Sequence, residues 1–509
     1  MNTAGTKVCL IRPPILCPKS HPIVQMTPPI GLAYVAAALK AEGLDVAVID
    51  SLAEAFDTRH AWGEDCYLYG LGIEDILDRI DPATHVIGVA TAFTFEWPVY
   101  RELIRRISAR FADAYLIGGG EHITALPELC LNETPLDAAV LGEGEAITVQ
   151  VVDALVHSHR NLSDIHGVAY RDADGKIVIT PRHQRIRNLD DIPPPAWDLL
   201  PIERYLDRGY GFGVSRGRSM PVIASRGCPY QCTFCSNPLM WTTRWTARRV
   251  DDLLDELEHY QNRYGAENFD LYDLTAIVKK DWIVEFCDKI QERGLSFTWQ
   301  LPSGTRSEAI DAEVARLLFH SGCRNMSYAP ESGSETVLTR IKKKIRLDDI
   351  LQSVDGAVRA GLNIKVNLMF GFPGETWREI SQSFGFICKL AWAGAHDLSI
   401  WAFSPYPGSE LFADLQSRGK IEMTEQYYND LRSYSDISQS QSFSEHISDG
   451  MLRTLRWAGT VLFYVVAWLR RPWRPFGMVF NVLRGKQESR SELALASFLR
   501  RMSMKTNGK

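Results

Sequence analysis

No window of this chain is both apolar and long enough to cross a bilayer, which takes about 20 consecutive residues. No period of about 20 to 50 residues recurs along it, so a solenoid is excluded. The opening, MNTAGTKVCLIRPP, lacks the apolar core of a secretory signal, and the expectation is a reducing, cytoplasmic setting. Neither sign of charge dominates: 56 Lys and Arg face 62 Asp and Glu, a net of −6. Cysteine is scarce, ten in 509 residues, and that scarcity makes its distribution informative.

Three of the ten stand within eight positions. The stretch SRGCPYQCTFCSNP, 225 to 238, sets Cys228, Cys232 and Cys235 at a C-x3-C-x2-C spacing, too close for chance in so cysteine-poor a chain. A structural zinc site closes its tetrahedron with four Cys or His ligands, and the loop holds no fourth. A disulfide would leave one thiol over. What remains is a site with three thiolates and one vacancy, the property of a four-iron cluster whose fourth iron can bind a substrate. The other seven cysteines are scattered, as small buried apolar residues commonly are.

At 509 residues and 45% apolar content the chain is long enough for two or three cores. Residues 1–155 alternate short apolar runs (KVCLIRPP, DVAVID, HVIGVATA, AYLIGGG) with amphipathic stretches such as GLAYVAAALKAEG. That pattern predicts an α/β domain with a doubly wound parallel sheet, which binds ligands beyond its C-terminal strand edges. Gly118, Gly119 and Gly120 lie at such an edge and suit a large nucleotide-like cofactor. His122, with no second ligand spaced to it, reads as a loop residue. Residues 156–215 form a proline-rich connector with a hairpin turning at Asp174-Gly175. From 216 to 420 about six β/α units follow, enough for a partial barrel whose active end lies at the C-terminal strand ends, where the cysteine loop falls.

With its three cysteines ending the first barrel strand, the chain resembles the radical S-adenosylmethionine superfamily. Phe234 matches the aromatic residue such proteins place near the adenine. YAPESGS, 328 to 334, resembles their nucleoside-contacting strand end, which makes Glu331 and Ser332 ribose and methionine contacts; GFPGET, 371 to 376, resembles a later strand-end loop. Lys342 to Lys344 read as a solvated helix end, although lysines follow that segment in the superfamily too. The N-terminal stretches TPPIGLAYVAAALKAEGLDVAVIDS, GGGEHITALPE and DAAVLGEGE look like the cobalamin-binding domain of its cobalamin-dependent class. This implies cofactor contacts at Gly118, Gly119, Gly120, Glu121, His122, Gly142 and Glu143. The D-x-H-x-x-G signature is absent, which in this class implies a cobalt with no protein histidine below it.

The resemblance implies a [4Fe-4S] cluster on Cys228, Cys232 and Cys235, S-adenosylmethionine on its open iron, cobalamin in the first domain, and an external electron donor of the flavodoxin or ferredoxin type. It implies C-methylation through a 5′-deoxyadenosyl radical and methylcobalamin. The alternatives are an oxidative cyclase working without methyl transfer, and a membrane-docked cobalamin or iron–sulfur sensor.

The end of the chain, 421–509, suggests the acceptor. From Met451 onward it carries twelve Lys or Arg against two acids. A basic end often means nucleic acid, but this one is also apolar: WAGTVLFYVVAWL, Trp457 to Leu469, has no charge, with Arg453 and Arg456 before it and Arg470, Arg471 and Arg474 after it. Such a helical segment suits the headgroup region of an anionic membrane; the competing expectation is a buried terminal helix. Contact with the inner face of a membrane would bring the barrel mouth to a lipid surface, and hopanoid methylases are among relatives of this architecture. The expected acceptor is therefore lipophilic, and nucleic acid is not an expected partner.

Overall fold

The computed structural model describes residues 5–19, 26–157, 161–182, 185–306, 308–432, 436, 440–496 and 499. In its first strand, β1 (Lys7–Arg12), Val8, Cys9, Leu10 and Ile11 are all buried, as in a strand covered by helices on both faces. It pairs in parallel with β2 (Asp45–Asp50) on one side and β3 (Val86–Ala90) on the other. Beyond β3 lie β4 (Tyr115–Gly119) and β5 (Ala138–Val140), also parallel. Helices α1 (Ile30–Ala41) and α3 (Gly144–His157) pack together on one face, and α2 (Trp97–Arg110) covers the other.

The sequence reading puts the hairpin in the connector; the structure puts it in the first sheet. Its strands, β6 (Val168–Arg171) and β7 (Ile177–Ile179), add antiparallel to β5 and give the order β7-β6-β5-β4-β3-β1-β2. The free edge of β5 is a row of unpaired backbone groups, and the hairpin satisfies them. The winding direction switches between β1 and β3, which locates the ligand crevice at their C-terminal ends.

The second sheet is β8 (Ser219–Val222), β9 (Asn268–Leu271), β10 (Thr298–Thr305), β11 (Cys323–Glu331), β12 (Asn363–Phe370) and β13 (Asp397–Ala402), all parallel and in chain order. Helices α4 (Val250–Tyr264), α5 (Lys280–Glu292), α6 (Ala312–His320), α7 (Leu347–Ala360) and α8 (Trp377–Ala393) return outside it. This is a partial barrel. Along β12, Ile364, Val366 and Leu368 are buried in the core shared with α7 and α8, while Asn363, Lys365 and Asn367 alternate with them and are half-buried toward the lumen.

The two domains share a core. A continuous buried cluster runs from β1 and α2 to Phe372, Phe403 and Tyr427 beyond the barrel strands. Part of it is α9 (Glu425–Leu431), which crosses from the barrel back to the first domain and packs Tyr428 near His122.

The last helices are α10 (Asp449–Arg470) and α11 (Arg474–Leu483). Helix α10 presses Leu452, Arg456, Gly459, Phe463 and Ala467 against α8 and β13 and leaves its opposite stripe outside. The charge-free run is thus neither wholly buried nor wholly free. Arg456 is not part of a basic bracket: it is 1% exposed, donating to the carbonyls of Ile400 (2.9 Å) and Asp436 (3.1 Å) and to Ser440 Oγ (2.7 Å). Among the described residues no helix is long and apolar enough to cross a membrane.

Candidate active site

The cysteine loop leaves the C-terminal side of β8 after a short pairing of Ser225–Arg226 with Thr246–Ala247. Gly227 makes the turn: its φ is +85°, and a Cβ there would lie 2.1 Å from the Arg244 carbonyl oxygen. The loop is then pinned by the Thr233 amide donating to Ile341 O (3.0 Å) and the Leu411 amide donating to Thr233 O (2.9 Å). Cys228, Cys232 and Cys235 are half-buried free thiols. Burial pushes all three up, Cys235 to about 12, while the cations of Lys343 and Arg306 pull Cys228 and Cys232 back. The thiols are therefore protonated at neutral pH, and iron binding must displace their protons. Three separate thiols suit a four-iron cube, which takes one thiolate per iron and leaves the fourth iron open. Among the described residues no three His, Cys, Asp or Glu side chains close on one single-ion point.

Beside the loop the structure gathers Phe234, Glu331 and Lys343. Phe234 lies 5.8 Å from the ring of Phe372 in the GFPGET loop, with the Lys343 ammonium 6.0 Å from its own ring. Glu331 ends β11 with φ +68° and pairs with Lys343 at 3.0 Å; both side chains are at most 10% exposed. Lys343 is no solvated helix end, and this corrects the reading of the lysine run. The chain reverses at Lys342, whose φ is +53°, and carries the next lysine back onto Glu331. Ser332 is fully buried, within 3.3 Å of Ser383 Oγ and accepting from the Ser334 amide, so its hydroxyl is engaged by the protein itself. The sequence reading also missed Arg306, which is 3.6 Å from the centre of the Tyr230 ring inside the cysteine loop.

The strand-end loops of the first domain face this loop. Ser236, next to Cys235, donates to Glu121. Arg226, two residues before Cys228, is 6% exposed and bonds Glu145 at 2.5 Å and Glu143 at 3.4 Å, with its guanidinium 4.9 Å from the Tyr34 ring. Glu143 also accepts from Arg185 Nε (3.1 Å) and the Ile186 amide (2.9 Å), so its carboxylate is spent on the domain junction. Gly118 and Gly120 meet their own chain closely: added Cβ atoms would lie 2.4 Å from Ile123 and 2.5 Å from the Thr91 carbonyl oxygen. Gly119 packs more loosely on Val140, and Gly142, φ +85°, has only Met240 O near, at 3.9 Å.

His122 is fully buried, with Nδ1 3.1 Å from Thr94 Oγ1 and its ring 4.7 Å from Trp97; burial holds it down to about 3, so it is neutral. Its ring is enclosed by the first domain's own side chains rather than presented at the surface. Phe93, 55% exposed and stacked on Phe95 after β3, offers the ligand crevice an aromatic face.

Residues 222–387 match the Radical SAM superfamily and residues 22–152 the B12 binding domain. An uncharacterized methyltransferase of Pyrococcus horikoshii is 31% identical over 410 residues, 80% of this chain and 82% of that one. The chain belongs to the radical S-adenosylmethionine superfamily. Within it, this radical SAM enzyme is of the cobalamin-dependent methyltransferase class, and its cofactors are a [4Fe-4S] cluster, S-adenosylmethionine and cobalamin. The cytidylyl-2-hydroxyethylphosphonate methyltransferase of Streptomyces wedmorensis is 30% identical over 442 residues, 80% of this chain and 81% of that one. The anaerobic magnesium-protoporphyrin IX monomethyl ester cyclase of Rubrivivax gelatinosus is 26% identical over 406 residues, 79% and 68% of the two chains. The radical SAM methyltransferase TsrM of Kitasatospora setae, solved with cobalamin and a [4Fe-4S] cluster, shares the fold: TM-score 0.62, 19% identity, 81% of this chain and 78% of that one.

Proposed function

We propose that this enzyme transfers a methyl group from S-adenosylmethionine to an unactivated carbon of a lipophilic acceptor, an isoprenoid lipid of the hopanoid type, while resting on the inner face of a membrane. What supports the acceptor is the outer stripe of α10, where Trp457, Val461, Val465 and Trp468 are 39 to 56% exposed on a helix flanked by arginines. What supports methyl transfer is that two relatives, 31 and 30% identical, carry methyltransferase names.

The lumen adds a requirement. Lys365 stands 5.5 Å from the Trp401 ring, and Trp401 Nε1 donates to Asn367 Oδ1 at 3.3 Å. An acceptor seated among these half-buried residues carries a polar group beside its apolar body. When bound, the cluster supplies the electron that splits S-adenosylmethionine, and cobalamin supplies the methyl group. The chain's own work is to hold them. Cys228, Cys232 and Cys235 would hold the irons, Glu331 and Lys343 would offer opposite charges to the amino-acid end of S-adenosylmethionine, and Phe234 would offer its ring to the adenine. The first-domain rim would seat cobalamin, and an external electron donor of the flavodoxin or ferredoxin type would serve the cluster.

The test is an anaerobic incubation of reconstituted protein with S-adenosylmethionine, hydroxocobalamin, a strong reductant and extracted membrane lipid, read by mass spectrometry. The expected result is 5′-deoxyadenosine and S-adenosylhomocysteine in equal amounts, with a lipid heavier by one methylene. Deoxyadenosine without S-adenosylhomocysteine would replace this reading with the cyclase, which the Rubrivivax relative favours. Formation of neither product, with the reconstituted cofactors in place, would sink the lipid acceptor.

A further inference from the structure

Helix α11 is ten residues long, RPFGMVFNVL, and buries none of them. Trp473, Phe476, Phe480 and Leu483 recur at helical spacing on one side and are 65, 77, 51 and 77% exposed. The outer stripe of α10 leads into them through Leu469, also 77% exposed. Soluble chains rarely leave so much contiguous apolar surface uncovered without a partner for it.

The charge around this surface says which partner. Arg470, Arg471, Arg474 and Arg484 form no carboxylate ion pair among the described residues. Arg471 and Arg474 instead donate to the carbonyls of Trp392 through Ala395 at 2.8 to 3.3 Å. Arg470 lies over the Trp392 ring at 4.9 Å and Arg484 over Phe480 at 3.9 Å. A second copy of the chain would bring like charges face to face, whereas an anionic lipid surface matches both the apolar stripe and its cationic margin. Among the described residues no helix is long and apolar enough to cross a membrane, and α10 runs antiparallel to β13, from Leu452 beside Gly371 to Tyr464 on Asp397, so its last turn is the part that lies level with α11.

The same contacts fix which way the enzyme faces. Gly394 and Ala395, held by Arg474, immediately precede β13, and Asn325, early in β11, donates to the Glu488 carbonyl at 2.8 Å. Helix α11 and the segment after it therefore sit at the N-terminal ends of the parallel strands. The cysteine loop is at the other end, about 26 Å away along an eight-residue strand such as β12.

We propose that the outer face of α11, with the last turn of α10 at Trp468 and Leu469, inserts shallowly into the headgroup region of an anionic bilayer, with the barrel floor toward the lipid and the cysteine loop facing away from it. This deepens the membrane reading above and rests on it, but reverses its geometry: the mouth is not pressed to the lipid, and a lipid acceptor has to leave the bilayer to be methylated.

The full chain, without cofactors or acceptor, is sedimented with phosphatidylcholine vesicles with and without phosphatidylglycerol. Binding to the anionic vesicles is expected, reduced tenfold or more by Phe476→Ser with Leu483→Ser. Arg470→Gln with Arg484→Gln should lower it about tenfold on anionic vesicles and leave neutral ones unaffected. These side chains are exposed, and unchanged melting of the variants confirms that they fold. Vesicles should slow amide exchange across 468–484 and leave 228–241 unchanged; the opposite pattern overturns the orientation. Absence of vesicle binding, a dimer dispersed by the serine variants, or binding that begins only after removal of 497–509 each overturns the docking. A chain that docks as expected but methylates only a water-soluble acceptor would sink the lipophilic substrate and leave the docking in place.

Discussion

Replacing Arg226 by Met should loosen the junction between the two domains without touching a cluster ligand. The guanidinium donates to Glu145 at 2.5 Å and is one of two arginines on Glu143. Met keeps much of the volume but leaves Glu145 buried without its cation, which costs about 3–5 kcal/mol. Loss of the contact with the Tyr34 ring adds roughly 0.5–1 kcal/mol. Glu143 still has Arg185 and the Ile186 amide, so no second orphan arises. For a cooperative unit of about 150–250 residues, roughly 4 kcal/mol lowers the first melting transition by about 8–16 °C. The assay is calorimetry on the cofactor-free chain, with Arg226→Met/Glu145→Gln as partner. Removing the stranded charge should restore about half of the loss. A single variant melting within about 2 °C of the parent, or a double variant no better than the single, refutes the reasoning.

Cys232→Ala should lose the cluster's iron and all 5′-deoxyadenosine formation, measured by iron content and chromatography. Lys343→Met should keep the iron but weaken S-adenosylmethionine binding about tenfold or more, read from the change it causes in the cluster's electron paramagnetic resonance; unchanged binding would leave Lys343 as a partner of Glu331 alone. Glu375 accepts from the amides of Gly371 and Phe372, and burial raises it to about 7. The folded chain then holds a proton that the unfolded chain releases above about pH 4.5, so this group's stabilisation is full below that and is lost as pH rises toward 7. Glu375→Gln keeps an acceptor oxygen and should flatten the fall, by about 3 kcal/mol between these limits, in parallel denaturation series; identical slopes for both chains would refute it.

The cysteine loop and the strand-helix alternation were legible because both are local: a spacing in one case, a period in the other. Sequence patterns failed where a side chain's partner lies far along the chain. Glu143 reads as a cofactor contact from its glycine-rich strand end, while the arginines that hold its carboxylate, Arg185 and Arg226, lie 42 and 83 residues further on and leave no local sign. Arg453 and Arg456 look like one basic flank, but they are three residues apart on a helix, and only the second falls on the stripe facing β13. The hairpin was visible as a hairpin; no local signal says which sheet edge will receive it.

Helix α9 sets a condition on how the protein is made. It completes a core whose other half, Trp97, His122 and the rest of the first domain, is synthesised far earlier. Between the end of β7 and the start of α9 a ribosome adds about 250 residues, which takes roughly 12–50 s. Over that interval the apolar face of the nascent first domain is covered in stages, by Leu338, Phe372 and Phe403 and last by α9. The interval is therefore a window in which chaperone cover, rather than intrinsic stability, decides the yield of folded enzyme.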